Sequence, residues 1–176
     1  MNPNCGTYAA NGLTNNNMTK ILFICHGNIC RSPMAEFIMK QLVAQAGRAE
    51  EFEIASAAVS TEEIGNDIYP PAKRMLSAKG VPFDHRAARQ MTRADYAYYD
   101  HIVCMDQSNL RWLRYIIGED TEHKVSLMMA WTISNIQSPI SNIRNVPDVS
   151  DPWYTGDFTK AYDDILEGCE AMLRQL

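Results

Sequence analysis

Cys25 and Arg31 stand six residues apart in the run Cys25-His-Gly-Asn-Ile-Cys-Arg-Ser32, directly after the apolar stretch Lys20-Ile-Leu-Phe-Ile24. A short, continuous apolar run of this kind reads as a parallel strand covered on both faces. Ser32 followed by Pro33 reads as an N-cap and first residue of a helix. The residues between must therefore wrap from a strand end to a helix start. In such a wrap the backbone N–H groups of His26, Gly27, Asn28, Ile29, Cys30, Arg31 and Ser32 turn inward, and the positive end of the helix dipole adds to them. The loop is expected to hold a phosphate-sized anion without any lysine. Gly27 and Asn28 tolerate the left-handed backbone that the wrap requires, and Arg31 supplies a planar fork for two oxygens of one anion. The same field favours a thiolate at Cys25, a nucleophile facing whatever the loop holds.

The elements that must position this loop follow from periodicity and punctuation. Met34, Phe37, Ile38 and Leu42 recur at helical spacing after Pro33 until Gly47. Phe52 to Val59 reads as a second strand, and Pro70-Pro71 with Met75, Leu76 and Gly80 as a short helix. Thr92 and Asp95 have the spacing of a capping box. His101-Ile-Val-Cys-Met105 is a third buried strand, followed by a helix with Leu110, Leu113, Ile116 and Ile117 that stops at Gly118. Lys124 to Met128 is a fourth strand. From Phe158, the residues Tyr162, Ile165, Leu166, Cys169, Met172 and Leu173 form one apolar stripe of a final helix. Strands alternating with helices define an α/β sandwich with a four-stranded parallel sheet. The loop should lie at the carboxyl end of the first strand beside the third, where chain direction across the sheet reverses.

The chain has 176 residues, 46% of them apolar and 21% charged, which fits one domain with an ordinary core. A formal net charge of −5 argues against nucleic acid or a membrane surface as partner, because no basic footprint is available. No stretch is long and apolar enough for a membrane span, and the N-terminus lacks the regions of a signal peptide. Five cysteines, Cys5, Cys25, Cys30, Cys104 and Cys169, are an odd number at scattered spacings, which points to a reducing, cytoplasmic setting. Residues 1–17, rich in Asn, are expected to form a disordered extension, with Met18 as an older start. The polar stretch from Met129 to Val149 repeats Ile133-Ser-Asn-Ile136 as Ile140-Ser-Asn-Ile143, which reads either as a partly ordered flap or as chance.

The run Cys25 to Pro33 resembles the signature Cys-x-Gly-Asn-x-Cys-Arg-Ser-Pro of the low-molecular-weight protein tyrosine phosphatases. The resemblance extends to Ser56-Ala-Ala-Val-Ser60, the neighbourhood of His85 and Arg89, Cys104-Met-Asp-Gln-Ser-Asn109 and Asp151-Pro-Trp-Tyr154, and so covers about residues 18–176. It implies a single phosphatase domain of the flavodoxin-like, phosphotyrosine phosphatase I type with strand order 2-1-3-4. It further implies hydrolysis of phosphotyrosine on proteins, or of small aryl phosphates, by a monomer that needs no metal or organic cofactor. By this resemblance Cys25 attacks phosphorus, Arg31 and the loop amides hold the spread charge, and Asp151 first protonates the leaving phenolate and then activates water. Ser32 donates to the Cys25 sulfur, Asn28 and His85 brace the loop, and Cys30 is a redox guard able to form a reversible disulfide with Cys25. Trp153 and Tyr154 line one wall of the cleft, and Glu62 stands where the family often carries an aromatic on the other.

Bland readings compete with these. A cysteine after an apolar strand is often only a small core residue, which is the assignment for Cys104 and Cys169. Trp153 and Tyr154 could pack under a loop, and His85 could be an ordinary surface histidine. Among rival functions, arsenate reduction uses the same loop but needs a relay pair of cysteines, which Cys104 and Cys169 do not form. Phosphoarginine hydrolysis is associated with threonine where this chain has Ile29. A catalytically dead phosphate-binding module would be expected to have lost Cys25, Arg31 or Asp151. A zinc site lacks a second ligand pair, and a nucleotide-binding P-loop lacks its Gly-Lys-Ser/Thr.

Overall fold

Residues 21–25 are all buried because the strand that carries them, β1 (Thr19–Cys25), lies in the interior of the sheet with cover on both faces. A computed structural model describes residues 18–133 and 145–176. β2 (Phe52–Ala58) pairs with one side of β1, and β3 (His101–Cys104) with the other. β4 (Val125–Leu127) pairs with β3, so the four strands are all parallel in the order 2-1-3-4. These are the expected strands and the expected order; β1 is longer than expected by one residue at each end, and the other three are shorter by one or two. The expected extension of residues 1–17 and residues 134–144 of the Met129–Val149 stretch, including most of the Ile-Ser-Asn-Ile repeat, lie outside the described residues.

The connections are α1 (Arg31–Gln45), α2 (Pro70–Ala78), α3 (Arg93–Tyr98) and α4 (Gln107–Ile117), then the single turn α5 (Pro152–Thr155) and the long α6 (Phe158–Gln175). α1 packs on α6 and against β2, whereas α4 packs with α3 and against β3. Cover from several sides explains why α1 is buried continuously from Arg31 to Met39, polar Glu36 included, while Leu42 is only half-buried. The stripe read from the sequence was too narrow a description of that helix. Thr92 and Asp95 form the capping box anticipated for α3, and Gly118, at φ 77°, ends α4.

Ser32 does not cap α1. The helix begins two residues earlier than expected, at Arg31, with Cys30 at the N-cap and no side-chain cap bond. Ser32 is drawn inside the first turn because its hydroxyl is engaged elsewhere, 3.1 Å from the Cys25 sulfur. Gly27 is not left-handed either; only Asn28, at φ 60°, is. The glycine instead permits close approach, since a Cβ there would sit 2.9 Å from Cγ of Glu63.

The same close-approach logic applies to α6 where it crosses the turn after β4. A Cβ on Gly168 would lie 2.5 Å from Sδ and 2.6 Å from Cγ of Met128, a side chain with no exposure. Gly→Ala in a helix ordinarily gains up to about 1 kcal/mol, but overpacking a filled core costs about 1–3 kcal/mol. Gly168→Ala is therefore expected to lower the urea midpoint of unfolding; a raised midpoint would show that Met128 has room to move.

Candidate active site

The loop from Cys25 to Arg31 hangs between β1 and α1, and neighbouring backbone fixes it on several sides. Val59 N–H donates to the Cys25 carbonyl and Ser60 N–H to that of His26, each at 3.0 Å, while Tyr69 N–H donates to the carbonyl of Ile29 at 2.9 Å. The carbonyls are thereby spent outward. Inside the loop lies a pocket of about 230 Å³ lined by Cys25, His26, Gly27, Ile29, Cys30, Arg31, Glu62, Glu63, Asp151, Trp153 and Tyr154. Trp153 packs at 5.2 Å against Tyr69, and Tyr154 is 84% exposed at the mouth. The expected cleft walls, Glu62 on one side and Trp153 and Tyr154 on the other, both lie on this pocket.

The Cys25 sulfur receives two polar contacts from its own loop. Asn28 N–H donates to it at 3.3 Å, and the Ser32 hydroxyl lies at 3.1 Å. Behind the loop wall, Asn28 Nδ2 donates to the hydroxyls of Ser32 at 2.8 Å and Ser56 at 2.9 Å. Asn28 and Ser32, expected among the phosphate-holding residues, are both fully buried there, and their side chains face this network.

Arg31 is 3% exposed and its guanidinium is shared by two carboxylates. Nη1 donates to Asp106 Oδ2 and Nη2 to Asp151 Oδ2, each at 2.6 Å, and Nη1 also reaches the Val149 carbonyl at 3.3 Å. Burial works against the Arg31 charge, but Cys25, Asp106 and Asp151 outweigh it and hold the guanidinium above its ordinary basicity. Asp106 was not singled out from the sequence, although its position before α4 was a readable cap: its Oδ1 accepts from Asn109 N–H at 2.6 Å. Asp151 caps α5 by accepting from Trp153 N–H at 3.1 Å. The segment before it is fastened by Val149 N–H to the Met105 carbonyl at 2.9 Å and by Ser150 N–H to Asp164 at 3.1 Å.

His85 does not brace the loop. Its ring is 84% exposed and Nδ1 bonds Asp67 at 2.7 Å. The neighbouring Arg86 takes the bracing position instead, donating from Nη1 to the Asn28 carbonyl at 2.9 Å and from Nη2 to Asn28 Oδ1 at 2.6 Å. No periodicity runs through residues 81–92, so nothing in the sequence placed the contact one residue further on. Glu63, also missed, shares the rim with Glu62; Asn66 donates to it at 2.6 Å, and Glu62 bonds His26 Nε2 at 3.2 Å.

A parallel α/β sheet with an anion cradle, a thiol and a buried guanidinium at the carboxyl end of its first strand defines a class of phosphate-handling cysteine enzymes. The family model described as low molecular weight phosphotyrosine protein phosphatase matches residues 20–176. The low molecular weight protein-tyrosine-phosphatase YfkJ of Bacillus subtilis is 33% identical, with 90% of this chain and 96% of YfkJ covered. Its crystal structure superposes with a TM-score of 0.79 over 90% of this chain and 94% of that one. The human low molecular weight phosphotyrosine protein phosphatase is 34% identical over 88% of this chain and 94% of its own length. A Drosophila arginine phosphatase structure, 28% identical, matches with a TM-score of 0.75 over 89% of this chain and 97% of that one. The chain belongs to the low-molecular-weight phosphotyrosine protein phosphatase family and is a phosphatase hydrolase.

Burial, with Cys25 and Asp151 nearby, pushes the Cys30 thiol up to about 12 despite the pull of Arg31, and burial above all, with Asp106 near Cys104 and Glu170 near Cys169, pushes those two thiols well above the usual range. A thiol raised in this way stays protonated below that value and is a poor nucleophile. Iodoacetamide at pH 8 is therefore expected to label Cys25 and spare Cys30, Cys104 and Cys169, as read by peptide mass mapping. Equal labelling of Cys30 would contradict the assigned environment.

Proposed function

We propose that this phosphatase cleaves phosphotyrosine through a cysteinyl-phosphate at Cys25, with Arg31 as the anion clamp and Asp151 as acid and base. The observation that carries the reading is the convergence of all three on one pocket: the Arg31 fork joins Asp151 directly, and the Cys25 sulfur lines the same cavity. The sulfur attacks phosphorus as the P–O bond to the phenol breaks, and Asp151 gives its proton to the departing oxygen. Loop N–H groups and the Arg31 fork hold the three equatorial oxygens, where charge spreads most in the transition state. Water then attacks phosphorus, the S–P bond breaks, and the proton lost by water returns to Asp151.

Asp106 keeps the Arg31 fork in plane when phosphate displaces Asp151 from it, since Nη1 remains bonded. Trp153 and Tyr154 offer aromatic faces against which a phosphotyrosine ring rests. Cys30 lines the same pocket and serves as partner for a disulfide once peroxide has converted the Cys25 thiolate to a sulfenic acid; the Cys25 charge that opposed a thiolate at Cys30 is then gone, the Cys30 sulfur attacks that of Cys25, and its proton leaves with the hydroxyl as water. The domain spans residues 18–176 and works as a monomer in a reducing, cytoplasmic setting on phosphotyrosyl proteins or small aryl phosphates. Among the described residues no helix is long and apolar enough to cross a membrane, and no group of three or more His, Cys, Asp or Glu is placed to hold a metal.

The likeness to an arginine phosphatase structure carries a second reading, hydrolysis of phosphoarginine. Ile29, an apolar residue on the pocket wall, favours the aryl group. Rates on phosphotyrosine, phosphoarginine and arsenate measured side by side separate the readings, with phosphotyrosine expected to be fastest. Cys25→Ser is expected to abolish turnover, and Asp151→Asn to slow it by roughly 10²- to 10⁴-fold. Full activity in either variant would overturn the assigned roles.

A further inference from the structure

α4 begins at the active site and leads away from it, since Asp106, its N-cap, bonds Arg31. Positions 111, 112 and 115 share one face of this helix by their spacing. They carry Arg111, Trp112 and Tyr115 into solvent, whereas Asn109 and Leu113 on the inner side are buried. Trp112 is 46% and Tyr115 85% exposed. Two large rings side by side in water add little to the core and form a contiguous surface patch. The patch joins the pocket. Tyr115 meets Trp112 edge-on at 6.3 Å, and Trp112 meets His26 edge-on at 5.6 Å. His26 lines the catalytic pocket, with its Nε2 bonded to Glu62. A track of rings thus runs from the pocket wall out along α4.

We propose that this face of α4 receives the polypeptide flanking the substrate phosphotyrosine and selects large apolar side chains about two and about four residues away from it. The docking rests on the phosphotyrosine reading given above and extends that site beyond the phosphate. Each step along the track, 5.6 Å and then 6.3 Å, matches about two residues of extended chain at roughly 3.3 Å per residue. Side chains two residues apart in an extended chain point the same way, so both fall on the rings together. Tryptophan and tyrosine are the residues that anchor such contacts best.

Charge sets a further preference. Arg111 is exposed beside the rings and has no ion-pair or hydrogen-bond partner among the described residues. Its guanidinium suits an acidic residue at the outer end of the docked segment. Glu62 and Glu63 on the rim repel an acidic residue placed directly beside the phosphotyrosine. A second copy of the chain fits the patch less well: a stable pairing takes roughly 800 Å² from each partner, more than two rings supply. A peptide already anchored by its phosphate needs only a few added contacts.

The test compares phosphotyrosyl peptides carrying phenylalanine at the second and fourth positions, before or after the phosphotyrosine, with the same peptides carrying alanine there. In one of the two directions the phenylalanine peptide is expected to exceed its alanine counterpart about tenfold in kcat/KM, chiefly through KM. This ratio is taken within each enzyme, so a general loss of activity in a variant cancels. Tyr115→Ala should cut it to about threefold and the Trp112→Ala, Tyr115→Ala double variant to about one. An aspartate beyond the second phenylalanine should raise the rate about twofold at low salt, an advantage lost in Arg111→Gln. A ratio near one in the parent for both directions would overturn the docking while leaving the phosphotyrosine reading intact, as would a ratio that the double variant does not change. Turnover of phosphoarginine with none of any phosphotyrosyl peptide would overturn both. Sedimentation of the parent as a dimer that Tyr115→Ala dissociates would assign the face to a second copy and overturn the docking alone.

Discussion

A guanidinium buried at the end of the first strand organises this molecule. Arg31 has almost no contact with solvent, and an unpaired charge in such a place costs several kcal/mol. Asp106 and Asp151 meet it from opposite sides, and each comes from a different part of the chain. Asp106 follows β3 at the head of α4, and Asp151 follows the segment tied to β3 and α6. The ion pairs therefore work only if β3 lies directly beside β1, as the strand order 2-1-3-4 provides. The point where the sheet changes direction is where strand ends part to leave a crevice, and the two carboxylates close its sides.

Such an arrangement stores the clamp in a form ready for use. Two carboxylates hold the fork in place, and a phosphate binding there exchanges one set of oxygens for another with little reorganisation. Electrostatic stabilisation is strongest when its dipoles are already aligned. The rim has the opposite sign: Glu62 and Glu63 stand at the mouth, and the chain as a whole carries a charge of −5. Attraction for anions is thus confined to a cradle large enough for one phosphate group. An acidic protein handles an anion here because one arginine and a turn of backbone amides suffice.

Much of this was legible in the sequence. Continuous apolar runs located the strands, because a strand covered on both faces has no polar alternation to confuse it. The spacing of Cys25 and Arg31 between a strand and a Pro-initiated helix marked the cradle. Other features depended on contacts between distant segments, which local spacing does not encode. Asp106 reads as a helix cap, and only the fold shows its second oxygen on Arg31. His85 and Arg86 are adjacent in an irregular stretch, and nothing local distinguishes the exposed histidine from the bracing arginine. Ser32 was read as a cap because that is what serine does before proline, but the sulfur of Cys25 competes for its hydroxyl and prevails. Nothing in the local sequence marks the charged Glu36 as buried; it lies within α1 with Ser56 of β2 and Lys40 donating to it.

The central claim is that the sulfur of Cys25 carries the phosphoryl group between its two transfers. Rapid acid quenching during turnover of a phosphotyrosyl peptide labelled with ³²P, followed by peptide mapping, addresses it directly. The account predicts a transient label, approaching one per chain, on the peptide that contains Cys25. Turnover with no label on the protein, or with label on another residue, would contradict it.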